Sequence, residues 1–77
     1  MTKDEVDDIL TSWTRLNKVL GNLTEADVKM AMNREMVGNR RKDIVIRLHQ
    51  RYTILRSARE RAELVAALVE PVPEFLA

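Results

Sequence analysis

Residues 39–70 read NRRKDIVIRLHQRYTILRSARERAELVAALVE, a run with neither glycine nor proline. On a helical wheel Ile44, Leu48, Tyr52, Leu55, Ala62, Val65, Ala66 and Val69 fall in one broad apolar sector, the pattern of a helix that lays one side on a core. Asn39 is placed to cap its start, and Pro71 and Pro73 stop it near Val69 or Glu70. The pattern predicts a helix over 40–69, a rod of about 45 Å at the usual rise per residue.

Two shorter helices are legible upstream. Thr2-Lys3-Asp4-Glu5 has the spacing of a capping box. Val6, Ile9, Leu10, Trp13, Leu16 and Leu20 then recur at three- and four-residue steps, and Gly21 is a natural stop. This predicts one helix over 3–20, about 27 Å long. Thr24 caps the next, with Asp27 three residues on and Leu23 and Val28 as a hydrophobic staple. That helix, over 24–37 and about 20 Å long, is expected to bury Val28, Ala31, Met32 and either Met36 or Val37. Gly38 ends it by the same logic as Gly21. The short link between these two helices makes them antiparallel neighbours. The expected fold is all-α: a three-helix bundle, or a helical hairpin packed on one long C-terminal helix. Residues 1–70 form one helical domain, and 71–77 an extended tail with two prolines.

A 77-residue chain buries only about 60% of its unfolded surface, so its core is small. With no cysteine there is no disulfide to reinforce it, which fits a reducing, cytoplasmic setting. The acidic start has no apolar leader pattern. No apolar run approaches the roughly 18 residues a membrane span needs, so no membrane partner is expected.

The composition argues against an enzyme. There is one histidine, no cysteine and no glycine-rich phosphate loop, since the only glycines are Gly21 and Gly38. His49 lies on the polar side of the long helix beside Gln50 and Thr53, and no second histidine exists to build a zinc site. Met30, Met32 and Met36 read as core filling. Asp4, Glu5, Asp7 and Asp8 complement the positive end of the first helix. No cofactor, metal or small-molecule substrate is expected.

Charge distribution carries more than the net charge of +1. Residues 40–61 hold eight Arg or Lys against Asp43 and Glu60. Arg56 with Glu60, Arg59 with Glu63 and Asp43 with Arg47 have the spacing of helical ion pairs. Arg40, Arg41, Lys42, Arg51 and Arg61 are left over. The first three open a helix, where the macrodipole disfavours cations, and so call for an anion. Asp4, Asp7 and Asp8 supply one if the first and third helices start at the same end. A phosphate backbone or an acidic protein surface is the other source. The candidate anion-binding set is Arg40, Arg41, Lys42, Arg47 and Arg51. Nucleic acid is the first expected partner, in a regulatory or accessory role. The rival is an inhibitor or adaptor that binds a larger protein.

Leu23-Thr24, Val28-Lys29, Met32, Gly38, Lys42-Asp43-Ile44-Val45 and Arg47-Leu48 resemble the skeleton of SAP- and LEM-type helix–extended–helix modules. The resemblance covers about a third of the chain and implies an association with DNA or chromatin through a basic second helix. The link between the helices is two or three residues shorter here, and the last helix runs far beyond the module's second one. A short charged helical chain with a proline-tipped tail is also similar to small accessory proteins of tailed phages.

The lengths do not match, so the second half of the long helix should protrude. There Ala58, Ala62, Val65 and Val69 form a stripe of small residues that lets another backbone approach, while Ile54, Leu64 and Leu68 widen it. A homodimer through this end is expected; the alternative is that Phe75 and Leu76 fold back over it.

Overall fold

The computed structural model describes residues 1–68, and those residues are all-α. In chain order they form α1 (Lys3–Ile9), α2 (Trp13–Val19), a 3-10 turn (Leu20–Asn22), α3 (Glu25–Val37) and α4 (Lys42–Leu68). The long helix packs against the shorter ones, as the sequence implies. Val69 and the tail over 71–77, with Phe75 and Leu76, lie outside the described residues.

The helix expected over 3–20 is two helices. Thr11 turns its hydroxyl back onto the carbonyl oxygens of Asp8 (2.6 Å) and Asp7 (3.3 Å). Ser12 is extended, and its Oγ accepts from the Arg15 N–H at 3.1 Å. Short hydroxyl side chains compete here with the helical ladder, and Ser12 serves as a second N-cap. The break turns Trp13 outward, so it is 47% exposed and does not join the predicted apolar face. Val6, Ile9, Leu10, Leu16 and Leu20 do reach the core.

Thr24 opens α3 through a complete capping box with Asp27. Val28 and Ala31 are buried, and Met32 packs against the core from its edge. Met36 and Val37, one of which was expected inside, are both exposed; the next buried position of the stripe is Glu35. Gly21 and Gly38 do not stop their helices by a left-handed turn, because neither has a positive φ. Space is tight at Gly38: a Cβ there would stand 3.0 Å from the Arg34 carbonyl oxygen. The left-handed residue is Arg40, at φ 54°.

Helix α4 begins at Lys42, so Asn39 is not its cap and Arg40 and Arg41 precede it. Helices α3 and α4 run antiparallel, tied at one end by Glu35 and Arg41 and at the other by Glu25 and Arg59. Ile44 and Leu48 are buried, Tyr52 and Leu55 half-buried, and every residue from Arg56 to Leu68 is exposed. These last 13 residues are mostly Arg, Ala, Glu and Leu, strong helix formers. Arg56–Glu60 (3.7 Å) and Arg59–Glu63 (3.0 Å) brace them locally. The described residues therefore form a long body, 51 by 21 by 21 Å, with a radius of gyration of 16.5 Å, against about 11 Å for a compact domain of this size.

Candidate interaction surface of the long helix

Three of the five candidate anion-binding residues are turned inward. Arg41 donates from Nε to Glu35 Oε1 at 2.7 Å and from Nη2 to Glu35 Oε2 at 3.0 Å. Its Nη2 also reaches the Leu10 carbonyl at 2.6 Å, and its backbone N–H donates to Glu35 Oε1 at 3.2 Å. The Glu35 side chain is only 2% exposed; the Arg41 guanidinium holds its carboxyl below the usual range, against the opposing pull of burial. Arg47 donates to Asn17 Oδ1 at 2.9 Å. Arg51 donates from Nη2 to the Gly21 carbonyl at 3.2 Å, while its Nε is buried with no partner among the described residues. Arg47 and Arg51 thus tie α4 to α2 and the 3-10 turn, and Arg41, just before α4, ties the turn after α3 to Leu10 at the end of α1. Only Arg40 and Lys42 of the set are exposed, and neither forms an ion pair among the described residues.

The N-terminal acids do not serve the opening of α4. Asp7 binds Arg34 at 2.9 Å and Asp8 binds Arg15 at 2.8 Å. The Arg34 hydrogen bond lowers the Asp7 carboxyl, and the Arg59 hydrogen bond does the same for Glu25. Between α1 and the end of α3 lies a cleft of about 310 Å³, bounded by the Asp7–Arg34 and Glu35–Arg41 pairs. Its four charged side chains pair with one another. Among the described residues no three His, Cys, Asp or Glu side chains gather as a metal site, and no helix is long and apolar enough to cross a membrane.

The other candidate set lies on the free half of α4. Ile54, Leu64, Val65 and Leu68 are 58%, 68%, 58% and 83% exposed, and Ala58 and Ala62 lie open between them. At 3.6 residues per turn these six, with Arg61 and Ala66, fill a sector of roughly 200°. Arg56, Arg59, Glu60 and Glu63 occupy the remaining side and neutralise one another. Arg61 is the one charge in the apolar sector, and it has no ion-pair partner among the described residues.

A second apolar surface, absent from the sequence reading, lies on the outer side of α1 and α2. A groove of about 470 Å³ reaches down to the core residues Ile9 and Leu23 and the half-buried Val19, with Met1, Asp4, Glu5, Asp8 and Arg15 around it. Asp8 is held by Arg15; Asp4 and Glu5 have no cationic partner among the described residues. The break at Thr11 and Ser12, invisible to periodicity, creates this groove by folding α2 away from the line of α1. Comparison with protein-family models, curated proteins and solved structures finds no match to this chain.

Proposed function

We propose that this chain is a non-enzymatic protein-interaction module whose contact element is residues 54–68 of α4. The observation that carries this reading is the outer half of α4, 13 consecutive exposed residues with a wide apolar sector around one cation, Arg61, that has no ion-pair partner among the described residues. An exposed apolar surface of this kind marks an interaction site more often than a solvated one. The matching surface is apolar with a carboxylate opposite Arg61, on an adaptor's or inhibitor's target.

Nucleic acid, the first expectation from sequence, is the second reading and rests on Arg40 and Lys42. Five phosphate contacts would give a salt slope near −4.5 on duplex DNA, whereas two give about −2. That is too small a charge contact to hold a duplex at physiological salt without help from other residues.

The test is capture of a partner from the native host by the full-length chain, wild type against Leu64→Asp and Leu68→Asp. Both substitutions leave thermal unfolding unchanged, because both positions are exposed, and both abolish capture. Capture that survives them but is lost on nuclease treatment, or in Arg40→Ala/Lys42→Ala, overturns the reading in favour of nucleic acid.

A further inference from the structure

We infer that the free half of α4 docks into the α1–α2 groove of a second copy of this chain, head to tail. The inference rests on the reading of residues 54–68 as a contact element and names its partner.

Two apolar surfaces of a second copy differ in the charge they set against this half-helix. The first is its own free half-helix, and charge argues against that pairing. Among the described residues the apolar stripe runs from Ile54 to Leu68, and Arg61 stands seven residues from each. An antiparallel pair with full overlap therefore sets Arg61 against Arg61, and a parallel pair in register does the same. The carboxylates nearest in sequence, Glu60 and Glu63, are engaged on the opposite side of the helix. Like charges brought together as water is excluded oppose association.

The second surface is the groove. Its floor of Ile9, Val19 and Leu23 is apolar, and its rim carries Asp4 and Glu5, two carboxylates with no cationic partner among the described residues. The half-helix presents the reverse: apolar Ile54, Val65 and Leu68 around Arg61, a cation without an ion-pair partner among the described residues. Each surface supplies the charge the other lacks. The two patches lie on different parts of one chain, so the contact is heterologous, and repetition gives a ring or an open chain of copies. A half-helix of about 20 Å covers less than a standard interface, which places the association at the weak, transient end.

The experiment is sedimentation of the full-length chain up to about 1 mM, a range suited to weak complexes. Wild type should rise in average mass with concentration, whereas Arg61→Glu and Asp4→Lys/Glu5→Lys should each associate at least about tenfold more weakly. An equimolar mixture of these two variants should recover association, because each then carries the charge complement of the other. Should the lysines loosen α1, Asp4→Asn/Glu5→Gln replaces them in the loss arm. A wild type that stays monomeric throughout overturns self-docking but leaves the interaction reading standing, provided Leu68→Asp still abolishes capture from the host. In that monomer, a lower thermal midpoint in Leu68→Asp assigns the covering to the chain's own residues, and an unchanged midpoint assigns it to a foreign partner. Association strongest in a mixture of wild type and Arg61→Glu, and indifferent to Asp4 and Glu5, assigns it to paired half-helices and also overturns the proposal.

Discussion

The Arg41 guanidinium binds both carboxylate oxygens of Glu35, six residues before it, and in the same position donates to the Leu10 carbonyl. One side chain thus closes the turn between α3 and α4 and caps the last turn of α1. Removing it strands a buried carboxylate, a loss of about 3 kcal/mol. A chain of this length has a total stability of roughly 4–12 kcal/mol, so the loss is severe. Arg41→Ala is expected to lower the urea midpoint accordingly. Glu35→Leu/Arg41→Leu, which removes both charges, should lie near wild type. Were Arg41 a ligand-binding residue on the surface, its alanine variant would unfold like wild type.

Acid sensitivity follows from the same pair. The Glu35 carboxyl is lowered in the folded protein from its ordinary 4.5. The unfolded chain therefore binds protons first as pH falls, and stability drops with it. The contribution of Glu35 is complete above about pH 5 and is lost as pH falls through its depressed folded value. Asp7 and Glu25 are shifted in the same direction and add to the slope. Thermal midpoints from pH 7 to 3 should be flat and then fall, and Glu35→Gln should show a shallower fall.

The turn between α3 and α4 stores strain at Arg40. A left-handed backbone is unfavourable for a residue with a Cβ by about 1–2 kcal/mol. Arg40→Gly should raise stability by about 1 kcal/mol, or roughly 4–8 °C in the thermal midpoint for a domain of this size. Gly38→Ala, which forces a Cβ against the Arg34 carbonyl oxygen, should lower it. Calorimetry of the two variants decides; a rise in Gly38→Ala would mean that this turn opens freely.

Ser12 sets the start of α2. Ser12→Ala removes the acceptor for the Arg15 N–H and should cost about 1 kcal/mol. Ser12→Asp keeps a capping oxygen and should restore most of it. Equal midpoints for serine and alanine would show that packing alone holds the break.

The helical class, the capping box at Thr24, and the mismatch between the long helix and its neighbours were all legible in the sequence. Each follows from local rules: periodicity, one side-chain cap, and residue count. The break at Thr11–Ser12 was not, because Val6, Ile9, Leu10, Leu16 and Leu20 keep a helical period across it. Two adjacent hydroxyl residues between apolar positions were the available signal. Glu35 had a signal too. It stands seven residues after Val28 and four after Ala31, a carboxylate on an apolar stripe, with arginine close behind it. The basic stripe misled because wheel position does not say whether a cation meets solvent or a neighbour's carbonyl. Arg47 and Arg51 found Asn17 and Gly21, contacts that depend on how α2 folds back.

The Glu25–Arg59 pair at 2.8 Å marks where α4 leaves the rest of the molecule. Beyond it the helix continues on backbone hydrogen bonds and side-chain pairs of its own. Amide exchange should therefore be graded along one continuous helix, slow near Leu48 and faster with each turn toward Leu68, where opening needs no disturbance of the core. Such an element can melt and re-form turn by turn while the remainder of the fold stays shut. Occupancy of this half-helix would then be recorded as slowed exchange in residues 56–68, with no change at Ile44 or Leu48.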